Sequence, residues 1–158
     1  MIGTVTRRYV YSGPNTMWHF PATGVAGLDL YAWDAANATW RWLATTHTNT
    51  AAPGMHAVIN DLTAFPACGA GVATTSGTPP SCASVRYRLH LPLYNGVADL
   101  RIGFRSQAGL FTLQADAGAA AAAVPPVVWY GTSIAQGGVA SRPGMAFTNI
   151  IGRRIGRE

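Results

Sequence analysis

Period-two alternation of apolar and polar residues dominates the first hundred positions, and that period belongs to strands. In residues 27–34, Leu28, Leu30 and Ala32 face one way and Asp29, Tyr31 and Trp33 the other. Residues 39–46 alternate again, with Trp40 and Trp42 opposite Arg41 and Leu43. The turn residues 34–37 between the two runs complete a predicted hairpin. The clearest pattern spans residues 84–104. Val85, Tyr87, Leu89 and Leu91 share a face, with Arg86, Arg88 and His90 opposite. Asn95-Gly96, a pair that tolerates positive φ, predicts a hairpin turn there. The return strand sets Leu100, Ile102 and Phe104 against Asp99, Arg101 and Arg105. Shorter strands are predicted at 16–20, 58–62 and 110–114. Residues 1–15 are weakly patterned. Residues 66–83 read as a long surface loop, because Pro79-Pro80 at its tip cannot sit in a central strand.

The pattern changes after residue 114. Residues 115–126 are small and end in Pro125-Pro126. Their alanine run is too short to hold a helix alone, so they read as a linker. Val127–Tyr130 is an apolar run of strand type, and Ser133 follows in a loop of small residues. A helix is then predicted, with Ser141 as its cap and Pro143 in its first turn. Phe147, Ile150, Ile151 and Ile155 make one apolar stripe on it. Arg153, Arg154 and Arg157 lie near its C-terminus, where cations suit the helix dipole, and Gly156 ends it. The expected fold is mainly β. An antiparallel β-sandwich, jelly-roll-like, occupies residues 1–114; a linker occupies 115–126; residues 127–158 form the first β–α unit of an α/β domain.

Composition narrows the class. The chain has 158 residues, 49% hydrophobic and 11% charged, which excludes a disordered chain. No apolar run reaches the length of a membrane span. The first residues carry no apolar segment with a cleavage site, so no secretory signal is visible and a cytoplasmic location is the default expectation. The net charge is +5, and all eleven basic residues are arginine. They are scattered, with no stripe of exposed aromatics between them, so nucleic acid is not an expected partner. Cys68 and Cys82 flank a loop. A disulfide there would close it, but in a chain without a visible signal they read as free thiols. No matching histidine pair makes them a zinc site, and no cofactor or metal is expected.

Candidate chemistry centres on Ser133. A serine at the carboxyl end of a strand, before a helix, sits where open α/β sheets place ligands. It becomes a nucleophile only with a nearby base and donors aimed at the oxyanion. Gly131 lets the backbone turn ahead of it, and the small residues after it leave room for a carbonyl. Taken alone, this short pattern is weakly specific. All four histidines, His19, His47, His56 and His90, precede Ser133. His19, between aromatics, reads as a packed residue, and His90 as a solvated one. Trp33, Trp40 and Trp42 read as sandwich core, with a sugar-stacking platform as the alternative.

Three separated blocks together resemble one family. Tyr130-Gly-Thr-Ser-Ile-Ala-Gln-Gly-Gly138, followed by Ala140-Ser-Arg-Pro-Gly-Met145, is similar to the nucleophile block of SGNH (GDSL-type) esterases. Gly27-Leu-Asp-Leu-Tyr31 resembles the Gly-x-Asp-Leu-Tyr signature of a β-sandwich that precedes the hydrolase domain in one subfamily. Leu91-Pro-Leu-Tyr-Asn-Gly-Val97 resembles that sandwich's final hairpin. The resemblance implies a serine carboxyl-ester hydrolase or acyltransferase acting on a small-molecule or carbohydrate ester. It implies that Ser133 is the nucleophile and that its own N–H contributes to the oxyanion hole. Gly131, Thr132, Gly137 and Arg142 fall in the matching block as candidate substrate-binding residues, with Thr132 standing where the usual pattern has Asp. The family's remaining oxyanion donors and its catalytic Asp and His lie in later blocks, which this sequence does not contain. The expectation is therefore the N-terminal part of an esterase, truncated after the nucleophile block and inactive alone. The alternative is a carbohydrate-binding or substrate-shaping sandwich without catalysis.

Overall fold

The computed structural model describes residues 2–9, 17–34, 37–46, 56–60, 86–104 and 125–157. Among the described residues six strands form two antiparallel sheets of three. In the first, β1 (Ile2–Tyr9) lies between β4 (His56–Asn60) and β6 (Val97–Phe104). In the second, β2 (Asp29–Asp34) lies between β3 (Thr39–Thr45) and β5 (Tyr87–His90). Leu28 and Leu30 are fully buried between the sheets, packed by Leu43, Ala44, Tyr87 and Leu89 of the second and by Val97 and Ile102 of the first. This is the expected sandwich. The eight strands of a jelly roll are not seen among the described residues.

The 27–46 hairpin forms as the alternation predicts, with Trp33 opposite Trp40 and Asp34 opposite Thr39. The pairing runs on past the strand ends, where the Leu28 N–H donates to Thr46 Oγ1 at 2.9 Å.

The second predicted hairpin does not form. β5 pairs with β2 and β6 with β1, so the chain crosses between sheets at residues 91–96. Neither Asn95 nor Gly96 takes positive φ. The segment is instead used by a five-residue helix, α1 (Ala22–Ala26), whose Val25 carbonyl accepts from the N–H groups of both Tyr94 and Asn95 at 3.0 Å. A turn sequence binds whatever satisfies its backbone, and here α1 satisfies it better than a facing strand. Phe20, Val25 and Ala26 with Leu93 and Tyr94 make a second apolar cluster at this end.

Smaller differences have local causes. The predicted strand at 16–20 is a tight turn closed by Met17 and Phe20. The fourth strand lies two residues earlier than the predicted 58–62. β1, in the weakly patterned start, pairs on both sides but with register shifts on each, and such bulges erase a clean period of two. The loop at 66–83 with Cys68 and Cys82, the strand at 110–114 and most of the linker lie outside the described residues.

After residue 125 the chain lies against the outer face of the second sheet. Val127–Tyr130 is not a strand, since no described residue offers it a ladder partner. Ser133 opens a one-turn helix, α2 (Ser133–Gln136), where a loop was expected. The predicted longer helix is divided. Pro143–Met145 is a 3-10 turn, and α3 (Phe147–Ile155) starts from Ala146 rather than Ser141. Gly156 ends it at φ 66°, with Arg153 and Arg154 in the last turn, as expected. Trp129 covers Phe147 edge-on at 5.3 Å. Among the described residues no helix is long and apolar enough to cross a membrane.

Candidate active site

A single helical turn does not persist alone, so what holds α2 defines the site. Its C-terminal end is closed by a Schellman pair. The Gly138 N–H donates to the Ser133 carbonyl at 2.7 Å, and the Gly137 N–H to the Ile134 carbonyl at 3.0 Å. Gly137 adopts φ 103°, and a Cβ there would lie 2.7 Å from the Ala146 Cβ, so conformation and space both demand glycine. The sandwich supplies two further tethers. Gln136 Nε2 donates to the Leu93 carbonyl at 2.7 Å, and Tyr94 Oη donates to the Ser133 carbonyl at 3.2 Å. Ser133 itself is exposed. The Thr132 side chain caps nothing, so the first turn of α2 has no side-chain cap.

A second anchor lies ten residues on. Asp29 projects from the outer face of β2 and is fully buried. Its Oδ1 accepts from Trp42 Nε1 at 2.7 Å; its Oδ2 accepts from the Gly144 N–H at 2.9 Å and pairs with Arg142 Nε at 3.3 Å. The Arg142 guanidinium also stacks on Trp42, 4.9 Å from the ring centroid. Gly144 sits so close to β2 that a Cβ would fall 2.5 Å from both Asp29 Oδ2 and the Tyr31 ring. Arg153, from α3, lies 4.1 Å over the Tyr31 ring and donates to the Gly144 carbonyl at 2.7 Å. A third link runs from Thr23 Oγ1 to the Ser141 carbonyl at 2.5 Å.

Burial sets the electrostatics of this junction. Desolvation raises the Asp29 pKa above its usual 3.8, against the opposing pull of Arg142, Trp42, Gly144 and Arg153. Desolvation and the Asp29 charge raise the Tyr31 phenol above 10.0, while desolvation lowers Arg153.

Residues 3–110 match the family model of the GxDLY N-terminus of SGNH-hydrolase-type esterases. The chain belongs to this family. Residues 125–158 match the GDSL-like lipase/acylhydrolase family. A solved structure from Bacteroides ovatus ATCC 8483, designated as a GDSL-like lipase, superposes with a TM-score of 0.59 at 21% identity, a likeness of fold. The superposition covers 96% of this chain and 37% of that protein, so the chain spans little more than a third of its length. No curated protein matches.

The GxDLY signature thus has a physical content here. Leu28 and Leu30 fill the sandwich core, while Asp29 and Tyr31 on the opposite face bind the GDSL-type segment. Of the candidate residues, Gly131, Thr132 and Ser133 are exposed together at the start of α2, and Gly137 is buried behind them. Arg142 is engaged with Asp29 and Trp42. His19 is exposed, edge-on to Trp18. His90 is not simply solvated: half-buried beside Tyr31, its Nε2 lies 3.0 Å from Arg153 Nη1. Guanidinium has only donors, so that nitrogen accepts. Among the described residues no cluster of His, Cys, Asp and Glu is placed to hold a metal. A cleft of about 260 Å³ lies between β5, α3 and Val127–Trp129, lined by Arg88, His90, Asn149 and Arg157 among others. Sequence reasoning missed Tyr94 and Gln136 as tethers and Asp29 as the anchor. An acidic residue alternating with leucines on a strand was the available signal, since such a carboxylate needs a partner once its face is covered.

Proposed function

We propose that the chain is the N-terminal part of a serine carboxyl-ester hydrolase that works through an acyl-serine. The observation that carries this reading is the placement of Ser133, exposed at the first position of a turn held by four separate hydrogen bonds. In the reaction a base takes the hydroxyl proton as Ser133 Oγ attacks the ester carbonyl. The oxyanion is met by backbone donors that include the Ser133 N–H. The alcohol departs with a proton, and water then releases the acid and restores the serine.

Among the described residues no side chain stands as the base. His90 is committed to Arg153, and His19 stands beside Trp18. Removing the histidine of a serine hydrolase lowers kcat by about 10⁶-fold. The 158-residue chain alone is therefore nearly inactive in this proposal. The catalytic Asp and His come, as in the family it resembles, from later blocks. The substrate class is a small-molecule or carbohydrate ester. A purely sugar-binding sandwich is less well supported, because arginine occupies a face of each candidate ring. Arg86 stacks over Trp33 at 4.5 Å, Arg88 over Trp40 at 4.7 Å and Arg142 over Trp42 at 4.9 Å.

The test is hydrolysis of an activated aryl acetate by the chain alone and by a version extended through a complete GDSL-type domain. The extended protein turns over, and Ser133→Ala abolishes it. Turnover that survives Ser133→Ala overturns the nucleophile, and rapid Ser133-dependent turnover by the short chain overturns its inactivity.

A further inference from the structure

The sandwich does more than precede the nucleophile segment; it reaches into it. Tyr94 belongs to the segment that crosses between the sheets, and it is fixed at three points. Its N–H donates to the Val25 carbonyl at 3.0 Å. Its ring meets the buried Phe20 edge-on, with centroids 5.2 Å apart. Its hydroxyl donates to the Ser133 carbonyl at 3.2 Å. That carbonyl already accepts the Schellman bond from Gly138, so the phenol occupies its second lone pair. The fit is close: a Cβ on Gly138 would come within 3.0 Å of the phenol oxygen and 2.9 Å of the Ser133 oxygen.

We propose that Tyr94 is a positioning residue for Ser133, a phenol carried by the β-sandwich that sets the orientation of the nucleophile turn. The role rests on Ser133 being the nucleophile. The Ser133 carbonyl and the Ile134 N–H share one rigid peptide plane. A donor held by the sandwich on that oxygen fixes the plane. It therefore fixes the direction of the Ile134 N–H and the Cα from which Ser133 Oγ projects. The Schellman bond cannot do this alone, because it ties the turn only to itself. Tyr94 and the Gln136–Leu93 bond tie it to an external frame.

Tyr94→Phe keeps the ring on Phe20 and removes only the hydroxyl. Losing one neutral hydrogen bond in a local unit shifts its opening equilibrium about fivefold. Amide exchange at Gly137 and Gly138 in the full 158-residue chain accelerates by about that factor. The amides of β2 keep their rates, and the melting temperature hardly moves. The Ser133 carbonyl ¹³C resonance shifts upfield as its second donor is lost, a signature that general destabilisation does not produce. Unchanged exchange at Gly137 and Gly138 with an unmoved carbonyl resonance overturns the proposal. So does an equal acceleration across β2, which would make Tyr94 a residue of the fold at large. Both measurements are made without substrate. They remain decisive for Tyr94 even if Ser133-dependent hydrolysis is not found.

Discussion

Replacing Asp29 by alanine tests how the GDSL-type segment is held on the sandwich. The carboxylate is fully buried and serves three donors: Trp42 Nε1, the Gly144 N–H and Arg142. Its removal strands a guanidinium that is only 21% exposed and two N–H groups. Breaking a buried pair by deleting one partner costs about 3–5 kcal/mol. Two features pull toward the lower end of that range. Arg142 retains its stacking on Trp42, and the ionised carboxylate was itself opposed by desolvation, as its raised pKa records. The damage is also directional. Leu28 and Leu30 on the opposite face of β2 keep their core contacts, so the sandwich stays folded while residues 142–152 detach. A loss of about 3 kcal/mol corresponds to roughly a hundredfold faster amide exchange in that segment. Hydrogen exchange resolved by residue reads this directly. A double-mutant cycle with Arg142→Ala isolates the pair, with an expected coupling of about 1–3 kcal/mol. Exchange in residues 142–152 that changes less than threefold, or a coupling near zero, refutes the view that Asp29 is the anchor.

Three further outcomes follow from the same geometry. Because burial raises the Asp29 pKa above 3.8, the folded state binds this proton more tightly than the unfolded chain. That contribution is complete below pH 3.8 and is lost as pH rises through the folded value. In urea titrations the wild type therefore gains on Asp29→Asn as pH falls from 7 toward 4; a pH-independent gap contradicts the desolvation argument. Gly137→Ala forces an L-residue into φ 103° and against Ala146, at a cost of about 2 kcal/mol or more, read as a lowered urea midpoint. Tyr130 is fully solvent-accessible, so Tyr130→Ser changes the stability of this chain by no more than about 0.5 kcal/mol; a larger loss in the same titration means the Val127–Tyr130 run is buried after all.

What the sequence made legible was local and periodic. The 27–46 hairpin follows from alternation alone, and α3 from its apolar stripe and its Gly156 stop, because each is set by neighbours a few residues away. Failures came where a distant partner decided. The Leu93–Gly96 stretch has the composition of a hairpin turn, yet α1, some seventy residues earlier in the chain, takes its N–H groups. Ala22–Ala26 carries no helical signal in five residues; its helix exists because Val25 and Ala26 are buried under Leu93 and Tyr94. Val127–Tyr130 reads as a strand by residue type, but a strand needs a ladder partner, and no described residue provides one. The serine was legible by pattern and its tethers were not, because Tyr94 and Ser133 are 39 residues apart.

The alternation in β2 also carried more than a fold assignment. A half-buried strand ordinarily shows an apolar face and a wet one, and Asp29, Tyr31 and Trp33 have the look of the wet face. In the structure Asp29 and Tyr31 are both buried. They are polar because what covers them is backbone and guanidinium rather than side-chain hydrocarbon. Gly144 offers an N–H and no Cβ, and Arg142 and Arg153 offer charge. An apolar pair at these positions would leave the Gly144 N–H and the Arg142 guanidinium without their carboxylate, at about 1–3 kcal/mol for each stranded group. Polarity on this face therefore specifies which segment docks and in what register, which hydrophobic burial alone does not. Asp29 fixes the register at Gly144, and Tyr94 fixes it again at Ser133, eleven residues earlier. Two polar tethers at a set spacing hold the intervening turn in a single alignment on the sandwich, where an apolar contact would have allowed it to slide.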